Sequence, residues 1–160
     1  SSVTNGVSFV ANPGKGLSWF RDTGYAQLIE EIDKTEGSKP IAVIFNLGVN
    51  DLGNAGNYVS YMTNIASTLK SKNCKLFYMS VNPVNTAMKP TRKEAQLRYF
   101  NDRLQSGLNK RFQWIDTYKY LMKNGYSTYN EFKGNIDDGV HYSTRTYKRI
   151  YKYCMDAIRK

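Results

Sequence analysis

The sequence predicts a single α/β domain, a three-layer α/β/α sandwich built on a parallel sheet. Five of the six residues from 41 to 46 are apolar, without period-two alternation, and this is typical of a parallel strand covered by helices on both faces. Elsewhere, short apolar runs alternate with stretches of helical periodicity, which favours the same architecture. At 160 residues and 41% hydrophobic content, the chain is long enough to bury one core.

The individual elements follow from turn signals and apolar spacing. Asn5-Gly6 is a turn signal that precedes a strand over residues 7–11. Gly14-Lys-Gly16 then predicts either an ordinary turn into a helix or a turn whose backbone N–H groups hold an anion or oxyanion. Apolar spacing predicts helices over residues 25–35, 58–72, 90–110, 116–124 and 144–160, and further strands over residues 75–81 and 112–115.

Composition excludes several classes of function. The net charge of +10 is spread over the predicted helices rather than concentrated in a nucleic-acid-binding motif, so a basic surface facing solvent or an anionic polymer is preferred to a nucleic-acid partner. Cys74 and Cys154 match neither a metal-binding spacing nor a disulfide framework, and we expect buried free thiols. The sequence has no run long enough for a membrane span and no signal-peptide pattern.

The carboxyl end of the central strand is the first candidate site. Gly48, Asn50 and Asp51 follow the apolar run directly. In open α/β sheets, ligands bind outside the carboxyl ends of the strands. We therefore expect the chemistry to lie at these residues.

The second candidate site is the only histidine, His141, in a loop before the last predicted helix. A single histidine is often structural, and it makes a catalytic zinc site improbable. However, Asp138 lies three residues earlier, with Gly139 between them, and this spacing allows the loop to fold the carboxylate onto the imidazole. A carboxylate in that position holds the tautomer of a histidine that accepts a proton from a nucleophile.

Together, Gly48-Val-Asn50-Asp51 and Asp138-Gly-Val-His141 resemble two signature blocks of the SGNH, or GDSL-like, hydrolases. The resemblance covers nearly the whole chain and implies a flavodoxin-like parallel sheet. It also implies that Asn50 donates to the oxyanion, that His141 is the general base and that Asp138 orients it. The second block of the family supplies a glycine N–H, for which Gly16 is the best match, with Gly14 as its neighbour.

The chain departs from the family at the first block, the Gly-Asp-Ser that carries the nucleophile. Ser2 is a candidate, but the family places a helix between its nucleophile and the second strand, whereas here the strand predicted from Val7 follows almost at once. We therefore expect one domain over residues 1–160 that lacks its first strand and nucleophile turn. In a flavodoxin-like strand order, that first strand would lie between residues 7–11 and 41–46.

The function that the resemblance implies is a serine esterase. Such an enzyme would remove acyl groups, most plausibly acetyl, from a carbohydrate or cell-wall polymer, and we expect it to be secreted or attached to the cell surface. No metal or organic cofactor is implied, and the sequence does not indicate an oligomeric state. The alternatives are a non-catalytic SGNH-like module that binds glycans in the same cleft, and a basic nucleic-acid-binding protein.

Overall fold

The computed structural model describes residues 6–160 and contains a three-stranded parallel sheet within a three-layer α/β/α fold. The strands are β1 (Ile41–Phe45), β2 (Cys74–Met79) and β3 (Gln113–Ile115), in the spatial order β1-β2-β3. Val43 is in register with Leu76, and Tyr78 with Trp114. Since all strands run in one direction, their carboxyl ends meet at a single edge of the sheet.

The helices confirm the predicted alternation. Residues 17–34 form one helical segment: a short α1, a π-helical turn over Phe20–Gly24, and α2. A 3-10 turn, Leu52–Asn54, precedes α3. The α-helices are α1 (Leu17–Trp19), α2 (Tyr25–Lys34), α3 (Ala55–Ser71), α4 (Glu94–Leu108), α5 (Thr117–Asn124) and α6 (Thr144–Ile158). Within the described residues, none of these helices is long and apolar enough to cross a membrane.

The two faces of the sheet pack into two separate cores. On β2, Leu76 and Tyr78 belong to a core shared with α1 to α4, whereas Phe77 and Met79 belong to a second core shared with β3, α5 and α6. This division follows from the alternation of side chains along a strand. Each core contains one buried free cysteine, Cys74 in the first and Cys154 in the second, which confirms the prediction of buried thiols.

The strand predicted over residues 7–11 is not formed over residues 8–11, and this prediction was wrong. Phe9 is 54% exposed and Ala11 is also exposed, so these two side chains cover no core face; Val7 is half-buried and forms only an isolated bridge. The local pattern is that of a strand, but a strand also needs a ladder partner. Of the described strands, only β2 pairs with β1.

The loop between β2 and α4, residues 80–93, connects the two candidate sites. Asn85 N–H donates to Gly139 O at 2.8 Å, and the Tyr142 hydroxyl donates to Pro83 O. These bonds hold the loop that precedes α6 against the carboxyl edge of the sheet. The buried Asn101 fixes the start of the same connection, because its side chain bonds both the N–H and the C=O of Val81.

Candidate active site

His141 and Asp138 form a hydrogen-bonded pair in the loop before α6. His141 Nδ1 lies 2.6 Å from Asp138 Oδ2. The other carboxylate oxygen accepts from the backbone N–H groups of Val140 at 3.0 Å and His141 at 2.8 Å, and Asn130 Nδ2 donates to Oδ2 at 3.1 Å. The loop therefore folds the carboxylate onto the imidazole, as the spacing in the sequence predicts.

The electrostatics of Asp138 fix the roles in this pair. Partial burial alone would raise its pKa, but the hydrogen bonds from the His141 and Val140 N–H groups, Asn130 and the imidazole outweigh it and hold the pKa well below the usual range. An ionised carboxylate only accepts hydrogen bonds, so Nδ1 of His141 carries the proton. Nε2 of the neutral ring is then free to accept a proton, and the side chain is 46% exposed.

Local packing makes the geometry of the pair depend on a glycine. Gly139 has φ of +75°, and a Cβ there would lie 2.8 Å from Asn85 O. At His141 itself, the backbone C=O accepts from Tyr129 N–H at 2.9 Å. The Ser143 side chain then caps α6 by accepting from Thr146 N–H at 3.3 Å. The histidine is thus held on both sides by bonded backbone.

Asn50, the predicted oxyanion donor, is held by two partners. Its Nδ2 donates to Lys15 O at 3.0 Å, and its Oδ1 accepts from Arg92 Nη2 at 3.1 Å. The turn that carries Asn50 requires Gly48, which has φ of +128° and would place a Cβ 2.3 Å from the Phe100 ring. Asn50 therefore lies beside the Gly14–Gly16 turn, although 34 residues separate it from Gly16.

Asp51 joins the two glycine-containing segments. Its Oδ2 accepts from Leu17 N–H at 3.0 Å, and its Oδ1 accepts from the buried Tyr58 hydroxyl. A Cβ on Gly16 would lie 2.4 Å from the same carboxylate. Gly16 is needed here for the close approach of Asp51 rather than for an unusual φ, since its φ is −135°.

The two predicted oxyanion donors, the Asn50 amide and the Gly16 N–H, lie close together but point in different directions. The peptide between Lys15 and Gly16 is trans, so its C=O and N–H point in opposite directions. Because the C=O faces Asn50, the N–H of Gly16 faces away from that amide, and no acceptor within residues 6–160 bonds it. Convergence on one oxygen would require this peptide to rotate, and the assignment of Asn50 and Gly16 as oxyanion donors stays a prediction.

The predicted nucleophile candidate, Ser2, lies outside the described residues. Within residues 6–160, no hydroxyl is hydrogen-bonded to Nε2 of His141.

The structure also adds contacts that the sequence did not indicate, those of Asn130 with Asp138 and of Arg92 with Asn50. Over the same described range, no group of three or more His, Cys, Asp or Glu side chains is placed to hold a metal ion.

A histidine oriented by a carboxylate, near the carboxyl edge of a parallel sheet, is an arrangement that hydrolases use. Comparison with protein families identifies a narrower class of protein. The sequence model of the GDSL-like lipase/acylhydrolases matches residues 1–154, and the chain belongs to this family. The SGNH/GDSL-like resemblance in the sequence is thereby confirmed.

Two solved structures are examples of those that match this chain with a similar fold. The lipase/acylhydrolase of Enterococcus faecalis is similar with a TM-score of 0.63 and 16% identity, over 91% of this chain and 71% of that one. A protein named as an acylhydrolase of Bacteroides fragilis is similar with a TM-score of 0.56 and 16% identity, over 89% and 77% of the two chains. At this identity the likeness shows the fold alone. A comparison with curated protein sequences finds no significant match.

Proposed function

We propose that this GDSL-like acylhydrolase is a serine esterase that removes acetyl groups from a carbohydrate or cell-wall polymer. The observation that carries the proposal is the 2.6 Å bond between His141 Nδ1 and the ionised Asp138. It leaves Nε2 as a base on an exposed side chain. A base with this orientation is what an acyl transfer through a serine requires.

The proposed reaction proceeds through an acyl-enzyme. His141 Nε2 takes the proton of a serine hydroxyl as its oxygen attacks the ester carbonyl, and Asp138 stabilises the imidazolium that forms. Asn50 Nδ2 and, after rotation of the peptide between Lys15 and Gly16, the Gly16 N–H are the proposed donors to the oxyanion, each worth about 3 kcal/mol in the transition state. The imidazolium protonates the departing alcohol, and water then releases acetate by the same steps. Within the sequence, Ser2 is the candidate for this serine.

Polar surroundings support a carbohydrate as the substrate. A depression of about 360 Å³ next to the Asp138 loop is lined by Asn85, Tyr126, Ser127, Thr128 and Asp137. Amide, hydroxyl and carboxylate groups of this kind bond sugar hydroxyls, and the net charge of +10 suits an anionic polymer. Action on a cell-wall polymer would require the protein outside the cell, and we extend the proposal to a secreted or surface location.

The test is hydrolysis of 4-nitrophenyl acetate by the full-length protein with its natural N-terminus, followed by acetate release from acetylated polysaccharide. His141→Ala should lose at least about 10³-fold in kcat and should remain folded in urea unfolding, because the imidazole is 46% exposed and loses only its bond to Asp138. Asp156→Asn, which changes a carboxylate on α6 away from the pair, should keep its activity. A wild-type protein that binds the polysaccharide without releasing acetate would replace this proposal with the glycan-binding module.

A further inference from the structure

The side-chain amide of Asn50 is oriented by a residue that the GDSL-like motifs do not include. Asn and Gln amides have an acceptor end and a donor end that differ little in shape. Only the nitrogen end can stabilise an oxyanion, because the oxygen end would repel it. An oxyanion donor of this kind therefore needs neighbours that distinguish the two ends.

Two neighbours of Asn50 make this distinction. Arg92 Nη2 lies 3.1 Å from Oδ1, and a guanidinium has donors only. Lys15 O lies 3.0 Å from Nδ2, and a carbonyl has acceptors only. Both contacts favour the same orientation of the amide. Rotation of the peptide between Lys15 and Gly16, which would turn the Gly16 N–H toward the oxyanion, removes the Lys15 contact and leaves that of Arg92. The Lys15 bond also uses one of the two Nδ2 hydrogens, whereas the Arg92 bond leaves both available.

The environment of Arg92 points to a role other than stability. Its Nε is buried and has no hydrogen-bond partner within the described residues, and an unsatisfied buried donor costs free energy. The bond to Asn50 is the single polar contact that the structure gives its guanidinium over residues 6–160. Arg92 itself lies at the end of the loop over residues 80–93, where its N–H donates to Lys89 O at 3.0 Å.

We propose that Arg92 is a positioning residue for the esterase reaction, one that fixes the amide of Asn50 with its nitrogen toward the developing oxyanion. The positive charge on the oxygen end also polarises the amide and strengthens Nδ2 as a donor. Arg92 acts through Asn50 and does not contact the reacting atoms. This inference rests on the proposed function, because it assumes that Asn50 stabilises the transition state of ester hydrolysis.

A double-mutant cycle on the full-length protein tests the proposal, with 4-nitrophenyl acetate as the substrate. Arg92→Met keeps the aliphatic stem and removes the guanidinium. It should lower kcat about tenfold and change KM by less than about twofold, because Asn50 would contact the oxyanion only in the transition state. Asn50→Ala should lower kcat about 10²-fold. In the Asn50→Ala background, Arg92→Met should have less than about a twofold effect.

Arg103→Met, on the exposed side of α4, is the control for the loss of one positive charge and should keep kcat. Urea unfolding of each variant separates misfolding from a catalytic defect. The cycle uses only variants whose unfolding transition matches that of the wild-type protein. An unchanged kcat in Arg92→Met, an effect on KM alone, or an equal loss of kcat in both backgrounds would overturn the role of Arg92. A wild-type protein without esterase activity would instead overturn the proposed function.

Discussion

Replacement of Gly16 by alanine tests the contact between the Gly16 turn and Asp51. The added Cβ would lie 2.4 Å from Asp51 Oδ2 and 2.7 Å from its Cγ, so the carboxylate must move. Its movement breaks the bonds from Leu17 N–H and the Tyr58 hydroxyl. A hydrogen bond to a charged group contributes about 1.5 to 3 kcal/mol, and rehydration of the displaced carboxylate recovers part of the loss. We expect Gly16→Ala to lower the free energy of unfolding by about 3 kcal/mol.

Urea unfolding followed by circular dichroism measures this change, and the chain offers a matched control. Gly56 lies in α3 with no atom within 4 Å of an added Cβ, so Gly56→Ala should raise the free energy of unfolding by about 0.5 to 1 kcal/mol. In an Asp51→Ala background the clash is absent, and Gly16→Ala should then cost less than about 1 kcal/mol. Equal costs of Gly16→Ala in both backgrounds would refute the reasoning.

Two further predictions concern Asp138 and Asn101. The pKa of Asp138 is lowered in the folded state, which means that its ionised carboxylate stabilises the fold. This stabilisation is complete above the unfolded pKa of about 3.9. It is lost as the pH falls from about 4 toward the folded pKa. The loss of unfolding free energy in Asp138→Asn should therefore be constant above about pH 5 and shrink below pH 4, as urea titrations at several pH values would reveal; a difference independent of pH would contradict it. Asn101→Leu should cost about 2 to 4 kcal/mol, because it leaves the buried N–H and C=O of Val81 unpaired, and an unfolding midpoint equal to that of the wild type would show that water replaces the amide.

The sequence predicts features that depend on short separations. The apolar run correctly predicts the parallel strand β1, but in the described sheet this strand lies at the edge rather than the centre, and Ala42 on it is exposed. The spacing of Asp138 and His141 brings the carboxylate to the imidazole. The residues that form each feature lie close together in the sequence, so both the strand and the Asp–His pair can be inferred without knowledge of the packing.

Contacts between distant segments could not be predicted in this way. Leu17 and Asp51 are 34 positions apart, and Asn50 and Arg92 are 42 apart, so only the packing of the elements brings them together. The error at residues 7–11 has the same origin. Val7 and Phe9 alternate as in a strand, but whether a strand forms depends on a ladder partner elsewhere in the chain.

The division of the thiols between the two cores gives the protein a separate chemical reporter for each side of its sheet. Burial raises the pKa of the Cys154 thiol to about 11 and also raises that of Cys74, so little thiolate exists near neutral pH and alkylation must wait for a local opening. Cys74 lies at the start of β2 and Cys154 in α6. Their alkylation rates, resolved by mass spectrometry of the labelled peptides, would therefore compare how often each layer of helices separates from the sheet.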